Sequence, residues 1–327
     1  MTPFEEELIG ETLSRVIRDG RDRIALMGFT PAALVLGNTL QARGFEREVV
    51  GVFDPQFPNG KSERVKPWAA LRGLKPDLLV VCDDAQKEYL LRAYIDLTGD
   101  PVPPPDVVLA GTAHLDFRDP LYVELDAPAM VPSYATGHPH TRVHLFQCLR
   151  AAAAAGLEGA VVELGSFKGG TTAWLARVVA SLGLRSKILA FDTWSGFPPR
   201  QSVLDMYVHP RCVFADLTSV RAYLEPVGVE LVIGDIAQTA PARLSKLPVL
   251  LAFADTDNFS GTRKALETIL PNLVSGGSVV LDHYWTTGEY VYTLGERMAA
   301  EEVLGGAGLM QLHGTGVFIK LGQKVHR

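Results

Sequence analysis

This 327-residue chain has only three cysteines, Cys82, Cys148 and Cys212, far apart and odd in number. Neither a disulfide framework nor a zinc site closed by paired thiols is expected. It has no apolar run of about 18 or more residues, the length a membrane helix needs. It has no excess of basic residues either. With 31 Lys and Arg against 37 Asp and Glu, the net charge of −6 leaves no footprint for nucleic acid. The first residues, "MTPFEEELIGETLSRVIRDG", carry acids where a signal peptide would carry a basic stretch and an apolar core. A reduced, cytoplasmic protein with neither a nucleic-acid nor a membrane partner is the expectation.

What is present is a core. At 47% apolar and 21% charged, the chain can bury enough surface for two domains. After an acidic leader helix (1–20), "RIALMG" (23–28), "EVVGVFD" (48–54), "KPDLLVVCDD" (75–84) and "PDVVLAG" (105–111) read as strands alternating with helices such as "PAALVLGNTLQARG". They mark a small Rossmann-like α/β domain over 21–118. Proline-rich sequence at 119–140 reads as a connector or lid. From 141 to 327 the pattern resumes with the helix "TRVHLFQCLRAAAAAGLEG". Strands "AVVELG", "KILAFDTW", "VELVIGD", "PVLLAFADTD" and "GSVVLDHYW" follow, with a final pair around "LMQLHG" and "TGVFIKL". Near-continuous apolar strands separated by helices predict a parallel sheet covered on both faces, with ligands bound beyond the carboxyl ends of the strands.

Acids gather at that rim. Glu163, Asp192, Asp235, Asp255 and Asp282 each fall at or near the end of an expected strand. A single strand-end Asp is as readily the N-cap of the next helix, but five along one edge point to a ligand site. In "ELGSFKGGTTAWLARVVASLG" a strand, a glycine-rich turn and a helix follow one another, so that the turn and the helix N-terminus can meet a small polar ligand. The spacing from Gly165 to Gly169 is not that of a dinucleotide fingerprint. Asp192 is placed to accept the hydroxyls of a ribose, and Gly234-Asp235 closes the third strand where an adenine would lie. A nucleoside with a short charged tail is the implied guest.

The blocks "VVELGSFKGGTT", "AFDTWSGFPP", "LAFADTDNFSGTRKALETILPNLVSGGSVVLDHYW" and "GTGVFIKL" resemble, in order, the macrocin O-methyltransferase family. That family belongs to the class I methyltransferases dependent on S-adenosylmethionine (SAM). The resemblance runs over roughly 130–322, and a related branch called cephalosporin hydroxylase shares much of the pattern. It implies a Rossmann-like sheet, mostly parallel with an antiparallel strand at the end, and a Mg²⁺-dependent methyl transfer to a hydroxyl of a sugar or natural-product scaffold. It assigns Glu163, Gly165, Gly169, Gly170 and Thr171 to the loop around the cofactor's methionine part, and Asp192, flanked by Trp194, to the ribose. Gly234 and Asp235 fall to the adenine. It assigns Asp255, Asp282 and His283 to the metal and Asp257 to the general base. His283 stands where the family usually has a second acid, so Mn²⁺ or another divalent ion becomes an alternative, and His283 is itself an alternative base. On an extended strand Asp255 and Asp257 would share a face about 6–7 Å apart.

His138, His140 and His144 lack closing zinc ligands and, with Tyr134, are read as lid residues. Tyr284, Trp285, Tyr290 and Tyr292 are read either as an apolar wall for the acceptor or as ordinary packing. In the first domain "MGFTPAALVLG" puts Gly28, Thr30 and Ala33 where a dinucleotide fingerprint needs glycine. A degenerate domain used for assembly or acceptor positioning is the main reading. Two rivals stay open: an NAD(P)-dependent oxidoreductase using that domain, and a non-catalytic SAM-binding protein. The expected partners are a small hydroxyl acceptor and further copies of the chain.

Overall fold

The structure, a computed structural model, describes residues 1–322 apart from 47, 62, 100, 102, 138–139 and 286–287. It divides into two compact units, Met1–Phe117 and Arg118–Arg327.

In the first unit α1 (Pro3–Asp19) opens on a capping box between Thr2 and Glu5 and ends on Gly20 in the left-handed region. Its Leu8, Leu13 and Val16 lie in the unit's core with Leu36 and Leu40, so the leading helix is part of the domain body. The remaining elements are β1 (Ile24–Met27), α2 (Pro31–Ala42), β2 (Val49–Phe53), β3 (Val65–Lys66), α3 (Leu71–Leu74), β4 (Leu78–Val81), α4 (Lys87–Thr98) and β5 (Asp106–Val108). The strands pair in the order β3-β2-β1-β4-β5, all parallel. The Asp54 carboxylate accepts from the N–H groups of Phe29 and Gln56, at 2.9 and 2.8 Å, and so ties the turn after β1 to the turn after β2.

The second unit begins with α5 (Pro120–Leu125), inside the stretch expected as connector. Asp119 caps it by accepting from the Leu121 and Tyr122 N–H groups, and six helical residues are too few for a periodic signal. There follow α6 (Thr141–Ala154), β6 (Ala160–Leu164), α7 (Gly170–Ser181), β7 (Ile188–Asp192), α8 (Leu217–Leu224), β8 (Val229–Ile233) and α9 (Ile236–Leu244). The chain then forms β9 (Val249–Ala254), α10 (Phe259–Asn272), β10 (Leu273–Leu281), α11 (Leu294–Leu304), β11 (Met310–Gln311) and β12 (Val317–Ile319). Among the described residues the sheet order is β8-β7-β6-β9-β10-β12-β11. The pairs from β8 to β10 are parallel, and β12 runs antiparallel to both β10 and β11.

Strand parity sorts the side chains. Val162, Leu164, Leu189, Phe191, Ala252, Ala254, Val279 and Leu281 share one face, packed with Leu244, Leu266, Ile269 and Leu304 of α9, α10 and α11. Glu163 and Asp282, one residue out of phase, point to the other face, where α6 and α7 lie. The order reverses between β6 and its two neighbours β7 and β9, which is where an open parallel sheet leaves a crevice beyond its strand ends.

Candidate active site

That crevice is a cavity of about 270 Å³. The turn after β6 reaches it because Gly165 has φ +94°, and a Cβ there would collide with the backbone carbonyl of Asp255. The glycine therefore lets the β6 and β9 loops touch. Two more residues of this rim hold φ in the left-handed region, Phe167 at 51° and Trp194 at 45°, a conformation that costs a non-glycine residue about 1 kcal/mol or more. Asp192 offsets it. Its carboxylate accepts from the Phe167 and Trp194 N–H groups, both at 2.8 Å, while the Trp194 indole N–H donates to the Phe167 carbonyl at 2.8 Å. Burial raises the Asp192 carboxyl above the ordinary range against these hydrogen bonds. The Lys168 ammonium sits over the rings of Tyr134, Phe167 and Phe214 at 5.0–5.6 Å.

The other end of the cavity holds the acids of β9 and β10. His283 Nε2 lies 3.1 Å from Asp257 Oδ1, 3.4 Å from Asp255 Oδ1 and 3.6 Å from Asp282 Oδ2. Burial acts to lower the imidazole's pKa, but the Asp255 and Asp257 carboxylates bonded to Nε2 push it up to about 12. Burial, then the neighbouring Asp282, raises Asp255 well above its usual value. Asp282 is anchored from behind by the N–H groups of Thr136 and Gly137, at 3.2 and 2.9 Å. One ligand atom each from Asp255, Asp282 and His283 lies within 4.8 Å of the others. Ligand atoms about 2.1 Å from one small ion stand roughly 3–4 Å apart. This donor set, with three carboxylates converging on one imidazole, therefore fits either a protonated histidine or a divalent cation.

Of the expected site residues, Gly165, Asp192, Asp235, Asp255, Asp257 and His283 line the cavity. Asp282 stands just behind the segment 136–137. Gly169, Gly170 and Thr171 meet other partners: the Leu224 side chain packs on Gly169, the Pro132 carbonyl on Gly170, and the Ser133 hydroxyl on Thr171 at 2.8 Å. Gly234 supplies a left-handed turn at φ 135° beside Thr239, and Trp194 braces Phe167. Asp235 caps α9 through the Ala237 N–H while accepting from the Gln201 side chain at 3.0 Å. Asp257 departs from the extended geometry expected of it. Strand β9 ends at Ala254, and Asp257 has φ 62°. The turn, not the strand pleat, brings both carboxylates to His283.

Glu163 lies fully under α7, where the Thr172 hydroxyl donates to its carboxyl. Burial, then the charges of Asp192 and Asp282, pushes its pKa up to about 8, against the hydrogen bond from Thr172. A carboxyl raised in the folded state contributes stability that is complete below its unfolded pKa near 4.5 and is lost as pH rises to about 8. Unfolding free energies from denaturant titrations between pH 5 and 8 are therefore expected to fall less steeply for Glu163→Gln than for the wild type. The difference should approach about 1 kcal/mol per pH unit. Parallel curves would show that Glu163 is ionised in the fold.

Sequence reasoning missed several lining residues. Asp205 accepts from the N–H groups of Gln201, Ser202 and Ser260 and from the Ser260 hydroxyl, at 2.8–2.9 Å. It thus pins the loop over 196–214 to the start of α10. Burial alone would raise its pKa, but these bonds hold it below the usual value. Tyr207 and Cys212 come from the same loop and line the cavity. Of the four aromatics after His283, only Tyr290 lines it, stacked on the imidazole with ring centres 5.3 Å apart. Tyr284 is core, edge-on to Phe318, and Tyr292 is exposed. Trp285 packs against Tyr284 and His313. Of the proposed lid residues Tyr134 lines the cavity, His140 precedes α6, and His138 lies outside the described residues.

A seven-stranded sheet in this order, with its sixth position antiparallel and a glycine turn after the first strand, is the sheet of a class I Rossmann-like methyltransferase. Residues 162–284 match the family model described as "Methyltransferase domain". The chain is 27% identical over 155 residues to 8-demethyl-8-(2,3-dimethoxy-alpha-L-rhamnosyl)-tetracenomycin-C 4'-O-methyltransferase of Streptomyces olivaceus, an alignment covering 43% of this chain and 59% of that protein. The chain thus spans less than two thirds of that relative. The match bears out the resemblance to O-methyltransferases related to macrocin O-methyltransferase. Among solved structures, the O-methyltransferase NovP aligns with TM-score 0.46 and 18% identity, over 55% of this chain and 79% of its own. The calicheamicin methyltransferase CalS11 aligns with TM-score 0.45 and 22% identity, over 67% and 100%. Neither structural likeness bears on what this chain does. Among the described residues no helix is long and apolar enough to cross a membrane.

Proposed function

We propose that the chain is a SAM-dependent O-methyltransferase that acts on a hydroxyl of a sugar or another natural-product scaffold, and that it uses a divalent cation. A single observation carries this reading. One cavity has a glycine turn with the strand-end acids Asp192 and Asp235 at one end, and Asp255, Asp257 and His283 at the other. SAM bound there would offer an electrophilic methyl on a sulfonium, which leaves as the thioether when an oxygen attacks. A cation held by Asp255, Asp282 and His283, with Mg²⁺ first and Mn²⁺ as the alternative suited to imidazole, would acidify a nearby hydroxyl.

The protein's own groups do the rest. Beyond the bonds it takes from the Phe167 and Trp194 N–H groups and the Thr193 hydroxyl, Asp192 retains acceptor capacity for ribose hydroxyls. Asp257 faces the cavity and takes the acceptor's proton. Tyr207 and Tyr290 exclude water and give a sugar ring an apolar surface. Incubation of the full chain with methyl-labelled SAM, Mg²⁺ and a panel of glycosides and sugar nucleotides tests the reading. Label should appear as an alkali-stable methyl ether on an acceptor hydroxyl, and label appearing only in ester or nitrogen linkages would contradict it.

Asp192→Ala should weaken SAM binding by about 1.5–3 kcal/mol, the scale of a charged hydrogen-bond acceptor. Calorimetry on a sample whose circular dichroism matches the wild type checks this. Undiminished affinity would remove Asp192 from the ribose site.

A further inference from the structure

Glu296 stands in the first turn of α11 with no exposed surface. It does not line the cavity described above, and its sequence context "LGERMAAEEVL" is that of an ordinary charged helix. Its carboxylate nevertheless accepts three backbone hydrogen bonds from two separate loops. Oε2 takes the N–H groups of Thr256 and Asp257, at 3.0 and 3.1 Å, and Oε1 takes that of His283 at 3.1 Å. These amides belong to the β9 turn that carries Asp255 and Asp257 and to the β10 end that carries Asp282 and His283. One buried side chain therefore fixes both halves of the acidic cluster relative to each other. It also satisfies the two N–H groups that face inward when Asp257 takes its left-handed φ of 62°, a conformation that surrounding structure must impose.

We infer that Glu296 is a positioning residue for the reaction proposed above, setting the spacing of Asp255, Asp257 and His283 through their backbones without meeting substrate or cofactor. The geometry demands a carboxylate of this length. A glutamine offers one acceptor oxygen and turns an NH₂ toward N–H donors on the other side, so it can serve one loop and repels the other. An aspartate keeps both oxygens but is one methylene short of spanning the gap. The neighbouring Gly295 supports the same arrangement. A Cβ there would collide with the Leu204 carbonyl and crowd the Phe259 N–H, so α11 enters close against the 196–214 loop, and its first turn cannot shift to follow a shorter side chain.

The test uses Glu296→Gln and Glu296→Asp in the full chain, with three measurements against the wild type. Amide exchange should rise at least tenfold in peptides spanning 255–257 and 282–283 and stay unchanged in those spanning 163–171 and 188–194. SAM affinity without metal should stay within about twofold, while Mn²⁺ affinity measured by electron paramagnetic resonance should fall at least tenfold. With a competent acceptor, kcat should fall about a hundredfold with the KM for SAM within threefold, a split that general loss of stability would not produce. Unchanged Mn²⁺ affinity and kcat in folded variants would overturn the inference while leaving the methyltransferase reading intact. A wild type that neither binds SAM nor transfers methyl would sink that reading, and the exchange pattern would then decide alone whether Glu296 clamps the two loops.

Discussion

Replacing Asp257 by Asn should lower kcat for methyl transfer by roughly 10²–10⁴-fold, the usual worth of a positioned general base, with SAM affinity nearly preserved. The amide keeps the shape of the side chain and one acceptor for the imidazole, so the turn at φ 62° need not rearrange. What it loses is the ability to take a proton. Of the three aspartates around His283, Asp257 is the one that faces the cavity without belonging to the set of three that closes around a possible ion. His283 is the rival base. In the arrangement seen here the carboxylates of Asp255 and Asp257 push its pKa up to about 12, so its Nε2 carries a proton and donates to them. If it instead binds a cation, that nitrogen is occupied. Either state leaves the task to Asp257. An Asp257→Asn enzyme with near-normal kcat, or one inactive only because metal no longer binds, would return the role to His283 or to the metal.

Chelation should have a comparably large effect. EDTA is expected to abolish detectable methyl transfer, with restoration by excess Mg²⁺ or Mn²⁺ and SAM affinity within about twofold throughout. Charge balance favours it. The carboxylates of Asp255, Asp257 and Asp282, the first two only partly buried, surround one imidazole, and a single proton on His283 supplies half the charge of a divalent ion. Because the ion must displace that proton, apparent metal affinity should rise with pH, by up to tenfold per unit while His283 stays protonated in the free protein. A folded, metal-free sample that turns over normally would show that the proton alone serves, and that Asp255, Asp282 and His283 are a structural cluster.

Much of this was legible in the sequence because parallel strands are written as apolar runs and their ends are marked by acids. The run "PVLLAFADTD" located β9 and the cluster together, and "VVELGSFKGG" located the turn after β6. Side-chain direction was harder to read. Glu163 was expected at the cofactor, yet it shares its strand face with the residues under α7, which period-2 parity from Val162 and Leu164 would have revealed. Asp257 was placed by extrapolating strand geometry three residues past the end of β9. Glu296 and Asp205 were not readable at all. Neither acid belongs to a motif or ends a strand, and only tertiary contacts, with α11 against the two strand-end loops and the 196–214 loop against α10, show that it is buried and bonded to backbone amides. The same limit applies to "HYWTTGEYVY", where four aromatics look alike in sequence and one, Tyr290, reaches the cavity.

The central claim, that the cavity beyond β6 and β9 binds SAM, meets its most direct test in calorimetric titrations of the full chain with SAM, S-adenosylhomocysteine and NADH. SAM and S-adenosylhomocysteine should bind at one site per chain with micromolar affinity, lost on replacing Asp192, and NADH should give no heat. Saturable NADH binding with no response to SAM would contradict the account and move the chemistry to the first unit.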